Sequence, residues 1–166
     1  TKAAQAFGKA VVERLGDLEM KRTVFEVVLS RPGGEDEEAI GADDGVEAKG
    51  KEKQGDPVRL TPRGQDVAEC LISPNPGEEP RSLARIASGG ELSRVMLAIK
   101  RVLADLDPVE TYVFDEVDAG IGGATGEVVG RMIREVARDR QVLCITHLPQ
   151  IAAYAEAHYQ VAKHVK

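Results

Sequence analysis

The sequence is poor in cysteine and has no long hydrophobic run. Its two cysteines cannot form a disulfide framework, and no Cys-x-x-Cys or histidine-rich motif indicates a structural metal. No apolar stretch approaches the roughly 18 residues that a membrane span requires, and no signal peptide opens the chain. We therefore expect no membrane partner, and we expect Cys70 and Cys144 to be buried thiols in a reducing cytoplasm.

The sequence also has fewer basic than acidic residues, 22 against 28, so its net charge is −6. The whole excess lies in residues 33–57, which hold nine acidic side chains, three basic ones and six glycines. With almost no large apolar side chain, this segment cannot bury enough surface to offset its ordering entropy, so it is predicted to be a disordered surface loop. The remaining chain is neutral and neither favours nor excludes a nucleic-acid partner.

The chain as a whole has the composition of one globular domain, with 42% hydrophobic and 30% charged residues. Apolar side chains recur every three or four residues in some segments and alternate in others, which predicts helices and strands respectively. The predicted helices cover residues 2–18, 89–104 and 124–138, and a short one begins at Pro149. The predicted strands cover residues 23–29, 66–72, 111–114, 141–146 and 159–165. Because helices and strands alternate in the second half, we expect an α/β fold with a parallel sheet.

Residues 88–91, Ser-Gly-Gly-Glu, stand at the start of the second predicted helix. Ser88 and Glu91 have the spacing of a capping box, which on its own indicates only a well-started helix. The glycines between them are not needed for capping, and each costs a helix about 1 kcal/mol relative to alanine. Without Cβ atoms, however, Gly89 and Gly90 leave the amides of a positive helix terminus open to another molecule. The motif therefore predicts an anion site of a kind that suits phosphate.

Two predicted strands end in polar side chains. Asp115 and Glu116 follow one apolar strand, and Thr146 and His147 end the next. The carboxyl ends of parallel strands meet at one edge of a sheet, which is where open α/β sheets bind ligands. Adjacent acids at that edge can divide the work of holding Mg²⁺ and polarising an attacking water. Taken singly, these motifs are also compatible with a solvated strand end and a structural histidine.

The order and spacing of these motifs resemble those of an ABC-type ATPase head. Three longer strings, IASGGELSR (86–94), VFDEVDAGI (113–121) and THLPQ (146–150), closely resemble the RecN family of SMC-like bacterial DNA-repair ATPases. The resemblance covers residues 60–166 well, and residues 1–29 fit the returning coiled-coil arm and the strand after it. It implies the carboxy-terminal lobe of an ABC/SMC-type P-loop ATPase head, a mainly parallel sheet flanked by helices.

In domain terms, the resemblance implies that residues 1–20 are the end of a coiled-coil helix and that residues 21–166 form the lobe. It also implies a signature loop that contacts the γ-phosphate of ATP held by a second head. The residues of that nucleotide-binding loop are Ser88, Gly89, Gly90 and Glu91. A further loop is implied to lie along the interface between two heads, and it includes Asp118, Gly120 and Gly122. Many ABC ATPases have an aspartate where this chain has Gly122, so that contact differs here.

The resemblance assigns the chemistry to three side chains. Asp115 is implied to be the acid associated with Mg²⁺, and Glu116 the general base for attack of water on ATP. His147 is implied to be the switch histidine, which senses the γ-phosphate. The implied cofactors are therefore ATP and Mg²⁺, and the implied activity is ATP hydrolysis.

A complete ATPase of this family also needs a P-loop, Gly-x-x-x-x-Gly-Lys-Ser/Thr, to hold the phosphates. Residues 45–52 nearly match, but Glu52 replaces the hydroxyl residue and the segment lies among carboxylates without a flanking strand or helix. We reject this candidate. In the family the P-loop belongs to the amino-terminal half of the head. The chain, which begins at Thr1, is therefore expected to be the carboxy-terminal half and to be inactive alone.

The partners implied by the resemblance are the amino-terminal half of the same head, a second head in an ATP-dependent homodimer, and DNA. The implied location is the bacterial cytoplasm, at the nucleoid. Among the residues themselves, three arginines on one helix face could meet phosphates, although neighbouring glutamates also fit a solvated face. They are Arg131, Arg134 and Arg138. Two alternatives stay open: another SMC or ABC head with a partner other than broken DNA, and a non-catalytic interaction module.

Overall fold

The structure is a computed structural model that describes residues 1–30, 64, 66–75, 77–86 and 88–162. Its helices are α1 (Lys2–Asp17), α2 (Gly89–Val102), α3 (Gly123–Val136) and α4 (Pro149–Ala152), with a 3-10 turn at Leu83–Arg85. Its strands are β1 (Val24–Ser30), β2 (Val67–Ser73), β3 (Arg81–Ser82), β4 (Thr111–Phe114) and β5 (Gln141–Cys144). The acidic segment at 33–57 and the rejected P-loop candidate within it lie outside the described residues. No helix in the described ranges is long and apolar enough to span a bilayer.

The described strands form two sheets of different kinds. In the first sheet, β1, β2 and β3 run antiparallel, and the β1–β2 register sets Val24 opposite Ser73 and Ser30 opposite Val67. In the second, β4 and β5 are parallel and their register ends with Phe114 opposite Cys144. The parallel arrangement predicted for the second half is confirmed. The short strand β3 and the antiparallel direction of the first sheet were outside the prediction.

One hydrophobic core joins α1 to the rest of the molecule. Val11 and Leu15 of α1 are fully buried, and the ring of Phe7 meets Phe25 of β1 edge to face at 6.1 Å between centroids. Helix α2 packs against both α1 and α3, and Leu97 is fully buried. Helix α1 therefore packs into the same hydrophobic core as the other helices and strands, through its buried side.

The predicted elements agree with the structure except at the end of the chain. Every predicted helix is present, as are the four strands at β1, β2, β4 and β5, with boundaries shifted by one or two residues. The strand predicted over 159–165 is wrong where the structure describes it, since residues 159–162 have no regular structure and 163–166 are not described. Tyr159 and Val161 are 93% and 97% exposed, so within the described residues no strand pairs with this alternating pattern and no side chain buries it.

At the amino end of β4, a group of charged side chains surrounds Tyr112. Lys100 donates to the carboxylate of Asp107 at 2.5 Å, and this hydrogen bond lowers the pKa of Asp107 to about 2. Arg140 donates to the carbonyls of Asp107 and Val109 and to the Tyr112 hydroxyl. These bonds fix the loop before β4 to the start of β5, at the end of the sheet opposite the polar strand ends.

Gly130 in α3 offers a test of this packing. A Cβ added there would lie 2.5 Å from Cδ2 of Tyr154 and 3.1 Å from Cα of Ile151, whereas one on Gly16 in α1 would meet nothing within 4 Å. We expect Gly130→Ala to lower the free energy of unfolding by about 1–3 kcal/mol because of overpacking. Gly16→Ala, the matched control, should raise it by about 0.5–1 kcal/mol through helix propensity. Urea denaturation measures both, and equal effects would contradict the α3–α4 contact.

Candidate nucleotide-binding site

The predicted signature motif forms the start of α2. Ser88 is the N-cap with an extended backbone, and its Oγ accepts a hydrogen bond from the amide of Glu91 at 3.4 Å. Ser88 and Gly89 are exposed, while Gly90 is buried. The capping interaction predicted from the Ser-x-x-Glu spacing is thus present, and the exposed Ser88 side chain and Gly89 backbone stand at the surface of the molecule.

The two glycines allow α2 to touch the turn that follows β4. A Cβ on Gly90 would lie 2.6 Å from Cβ of Ala119 and 3.1 Å from the carbonyl oxygen of Glu116. A Cβ on Gly89 would overlap Oε2 of Glu116. Packing within the chain therefore requires glycine at position 90, which is a reason that the sequence did not suggest, whereas the contact at Gly89 is with the end of an exposed side chain. The space beside Gly89, predicted to be open to another molecule, is held here by the carboxylate of Glu116.

The turn after β4 holds Glu116 in an uncommon backbone conformation. Its φ is +55°, in the left-handed region that residues with a Cβ rarely adopt. The Glu116 amide donates to Oδ1 of Asp115 at 2.9 Å, and the Glu116 carbonyl accepts from the amide of Ala119 at 3.0 Å. Strain of this kind persists only where surrounding contacts impose it, and it concentrates at functional sites.

Two residues of α2 supply those contacts, and the sequence analysis assigned no role to either. Ser93 donates its hydroxyl to the Asp115 carbonyl at 2.6 Å, and Arg94 donates to the Ala119 carbonyl at 2.8 Å. Arg94 is only 8% exposed, and burial lowers its pKa while the charge of Glu91 opposes that shift. The sequence did contain a signal for this role of Arg94, namely a charged residue on the apolar side of the predicted helix, close to the two glycines. Together, Ser93 and Arg94 bind the turn to the helix at both of its ends.

Asp118 connects the same turn to the end of β5. Its side chain is buried, and its Oδ2 accepts hydrogen bonds from the Thr146 hydroxyl at 2.5 Å and from the amide of His147 at 2.9 Å. Nδ1 of His147 lies 3.0 Å from the same oxygen. Burial raises the pKa of Asp118, but the hydrogen bonds from Thr146 and His147 outweigh it and hold that pKa below the usual value.

The remaining predicted residues lie on the exposed side of this edge. The side chain of His147 is 75% exposed, and Asp115, Gly120 and Gly122 are exposed as well. The Asp118 carboxylate faces inward, whereas Ala119, Gly120 and Gly122 of the same loop are exposed. One carboxylate oxygen of Asp115 accepts no hydrogen bond from the described residues, Glu116 follows it in the chain, and the described residues contain no cluster of three metal-ligating side chains. Such a set suits Mg²⁺ that keeps most of its ligands from water and substrate.

Two other predictions from the sequence concern side chains away from this edge. Arg131, Arg134 and Arg138 are exposed. Arg134 donates a hydrogen bond to the Tyr154 carbonyl at 3.0 Å and so stabilises the turn that follows α4.

Both cysteines are half-buried free thiols. Burial, followed by the charges of nearby aspartates, raises the pKa of Cys144 to about 11, which agrees with an unreactive thiol.

Comparison with solved structures gives the class to which this fold belongs. The chain matches the Smc head domain of Pyrococcus furiosus, solved with an extended coiled coil and bound to the C-terminal domain of ScpA, with a TM-score of 0.54 and 22% identity. The match covers 92% of this chain and 30% of that chain. At this identity the likeness concerns the fold alone. The fold is that of part of an SMC-type head domain.

Sequence comparison gives the particular relatives. The chain is 44% identical over 163 residues to the DNA repair protein RecN of Streptomyces coelicolor, which covers 98% of this chain and 26% of the relative. It is 56% identical over 105 residues to RecN of Xylella fastidiosa, covering 63% of this chain and 19% of the relative. No family model matches. The chain is related to RecN over the carboxy-terminal region of the head, and it spans about a quarter of the length of the Streptomyces relative.

Gly90→Ala tests whether the signature glycines serve packing inside the chain. Its Cβ would meet Ala119 and the Glu116 carbonyl, so we expect the free energy of unfolding to fall by about 1–3 kcal/mol without any nucleotide. If the glycine served only the approach of another molecule, alanine would instead stabilise α2 by about 0.5–1 kcal/mol. Urea denaturation of the isolated chain, with Gly16→Ala as the helix-propensity control, separates the two results by their sign.

Proposed function

We propose that the chain is half of an ATP-hydrolysing head in a protein that acts in the repair of DNA double-strand breaks and in recombination. The proposal rests on one observation: three predicted motifs lie together at the edge of the parallel sheet where β4 and β5 end. The signature motif at 88–91, the acids at 115–116 and His147 are drawn together by the contacts of α2 and Asp118. The repair function follows from the relatives, which are named DNA repair protein RecN.

Within this proposal, Glu116 accepts a proton from the water that attacks ATP. Its carboxylate is exposed and stands at the carboxyl end of β4, where a water can reach it. Asp115 would hold Mg²⁺ through water, with the free oxygen that does not accept the Glu116 amide. When bound, Mg²⁺ neutralises charge that develops on the phosphates. His147 offers an exposed ring at the end of β5 on the same edge.

The signature loop would contact the γ-phosphate of ATP that a second head holds. Exposed Ser88 and the amides at the start of α2 are suited to an anion, because the helix terminus is positive. In the present structure the Glu116 carboxylate rests against Gly89. Two anions cannot share that terminus without a large electrostatic cost, so arrival of a phosphate displaces Glu116 from it. Binding of the second head's nucleotide would therefore release the carboxylate of Glu116, the general base, from its contact with Gly89.

A P-loop half of the same head would complete the site. One face of the parallel β4–β5 sheet carries Val113, Leu143 and Ile145, which are 65%, 48% and 59% exposed. Parallel sheets are normally covered on both faces, so this apolar face supports a covering partner. The relatives are several times longer than this chain and have room for that half and for a coiled coil that continues α1. We therefore propose that the chain alone does not hydrolyse ATP.

Two alternatives are compatible with the same fold. The chain could belong to another SMC or ABC head whose partner is not broken DNA, but its identity with RecN favours the first proposal. A non-catalytic interaction module has no need of both Glu116 and His147 at one edge. The coding sequence upstream discriminates among them, since a P-loop followed by long heptads is expected only for the head. The relatives are bacterial, so we place the protein in the bacterial cytoplasm, at the nucleoid.

Glu116→Gln tests the general base. When the chain is combined with a matching amino-terminal half, we expect this variant to lose ATP turnover by at least about 100-fold, because the amide cannot accept a proton. ATP-bound head dimers should persist, measured by size-exclusion chromatography with light scattering. Glu127→Gln, an exposed glutamate on α3, is the matched control and should keep full turnover. Turnover by the unpaired chain that depends on Glu116 would contradict the need for a second half.

Ser88→Arg tests the signature contact. A bulky side chain at the N-cap should block ATP-dependent dimers of the completed head while nucleotide binding to a single head is kept. Gln5→Arg, an exposed position on α1, adds the same charge and should leave dimers intact. Fluorescent-nucleotide titration and light scattering measure the two properties. Weaker nucleotide binding to a single head would refute placement of Ser88 on the partner's nucleotide.

A further inference from the structure

We propose that Asp118 is the positioning residue of His147: its carboxylate fixes the imidazole in the tautomer that carries its proton on Nδ1 and turns Nε2 outward. Two hydrogen-bond donors and one ring nitrogen converge on one oxygen, Oδ2 of Asp118, at 2.5, 2.9 and 3.0 Å. They are the Thr146 hydroxyl, the His147 amide and His147 Nδ1. The geometry thus ties the backbone and the ring of His147 to the same acceptor.

The protons on these donors are determined by the other bonds in the group. Thr146 Oγ1 accepts from the amide of Leu148 at 3.0 Å, so its own hydrogen is directed to Asp118. A carboxylate can only accept, and the neutral imidazole has one N–H. The nitrogen that faces Asp118 must therefore be the protonated one. The same principle fixes the tautomer of histidines whose second nitrogen does the chemistry.

Burial makes Asp118 a firm support for the ring. Its side chain is 5% exposed, whereas that of His147 is 75% exposed. Around it, the amide of Ile121 bonds the Asp118 carbonyl at 3.3 Å, and the turn itself is bound to α2 through Arg94. The acceptor is thus anchored in the interior while the ring that it holds reaches solvent.

This arrangement defines what Nε2 can do. In the neutral ring Nε2 is an acceptor, so it can take a hydrogen bond from water but cannot donate one to phosphate. Donation from Nε2 requires a second proton, and the resulting imidazolium keeps its proton on Nδ1, next to the Asp118 carboxylate. A role of His147 toward the γ-phosphate rests on the proposed function, whereas the tautomer does not.

The test is a long-range proton–nitrogen NMR correlation on the ¹⁵N-labelled chain without nucleotide, at a pH where the rings are neutral. The chain has three histidines, and exposed His158 is an internal reference. We expect the wild-type His147 ring to show a protonated Nδ1 and an unprotonated Nε2. In Asp118→Ala this signature should be lost, and His147 should take the tautomer mixture of His158. A proton on Nε2 in the wild type overturns the proposal without any variant.

Thr146→Val is the matched control, because it removes another donor to the same oxygen and keeps the branched shape. It should retain the Nδ1–H tautomer, and loss of that tautomer would mean that Asp118 alone does not fix it. In the completed head, adding His147→Ala to Asp118→Ala should change turnover by less than about twofold, because His147 depends on Asp118 for its position. Multiplicative losses would overturn the positioning role. Inactivity of the wild-type head would reject the proposed function and leave the NMR result standing.

Discussion

The close approach of α2 to the turn after β4 is the constraint on which the rest of the site depends. It exists because Gly89 and Gly90 carry no side chain where Glu116 and Ala119 come into contact with the helix. Two hydrogen bonds, from Ser93 and Arg94, then hold the ends of the turn. The signature motif and the predicted general base are thereby parts of one rigid unit. A displacement of the start of α2 must move Glu116 as well, since close-packed groups transmit strain.

The parallel pairing of β4 and β5 extends this unit to His147. Both strands end at the same edge, and the amide of Ile145 continues the ladder by donating to the Phe114 carbonyl at 2.9 Å. Asp118 then bridges the two loops that leave this edge, with its charge satisfied by Thr146 and His147. A buried carboxylate is costly unless it is hydrogen-bonded, so the two loops hold each other in register. The site is built from backbone positions that neither loop would keep alone.

The sequence predicted elements better than it predicted contacts. The apolar period of three or four located α1, α2 and α3, and the polar residues at strand ends located the edge of the sheet, because these signals are local. The left-handed backbone of Glu116 and the inward carboxylate of Asp118 depend on residues more than twenty positions away. For the same reason, the glycines of the signature were assigned to an incoming anion, and the packing of Gly90 against Ala119 was missed.

The parallel sheet has one uncovered apolar face, and this face lies next to the acids for which a P-loop partner is proposed. Two paired strands are seldom stable without further cover, and here one side of β4 and β5 is covered by helices while Val113 and Leu143 face solvent on the other. A partner that packs on this face would stand next to Asp115 and Glu116, which end and follow β4. That is where a phosphate-binding loop has to be if these acids act on the same nucleotide. Burial of the apolar face and completion of the active site would then be a single event, so a half head without its partner would be folded but less stable, and it would be inactive.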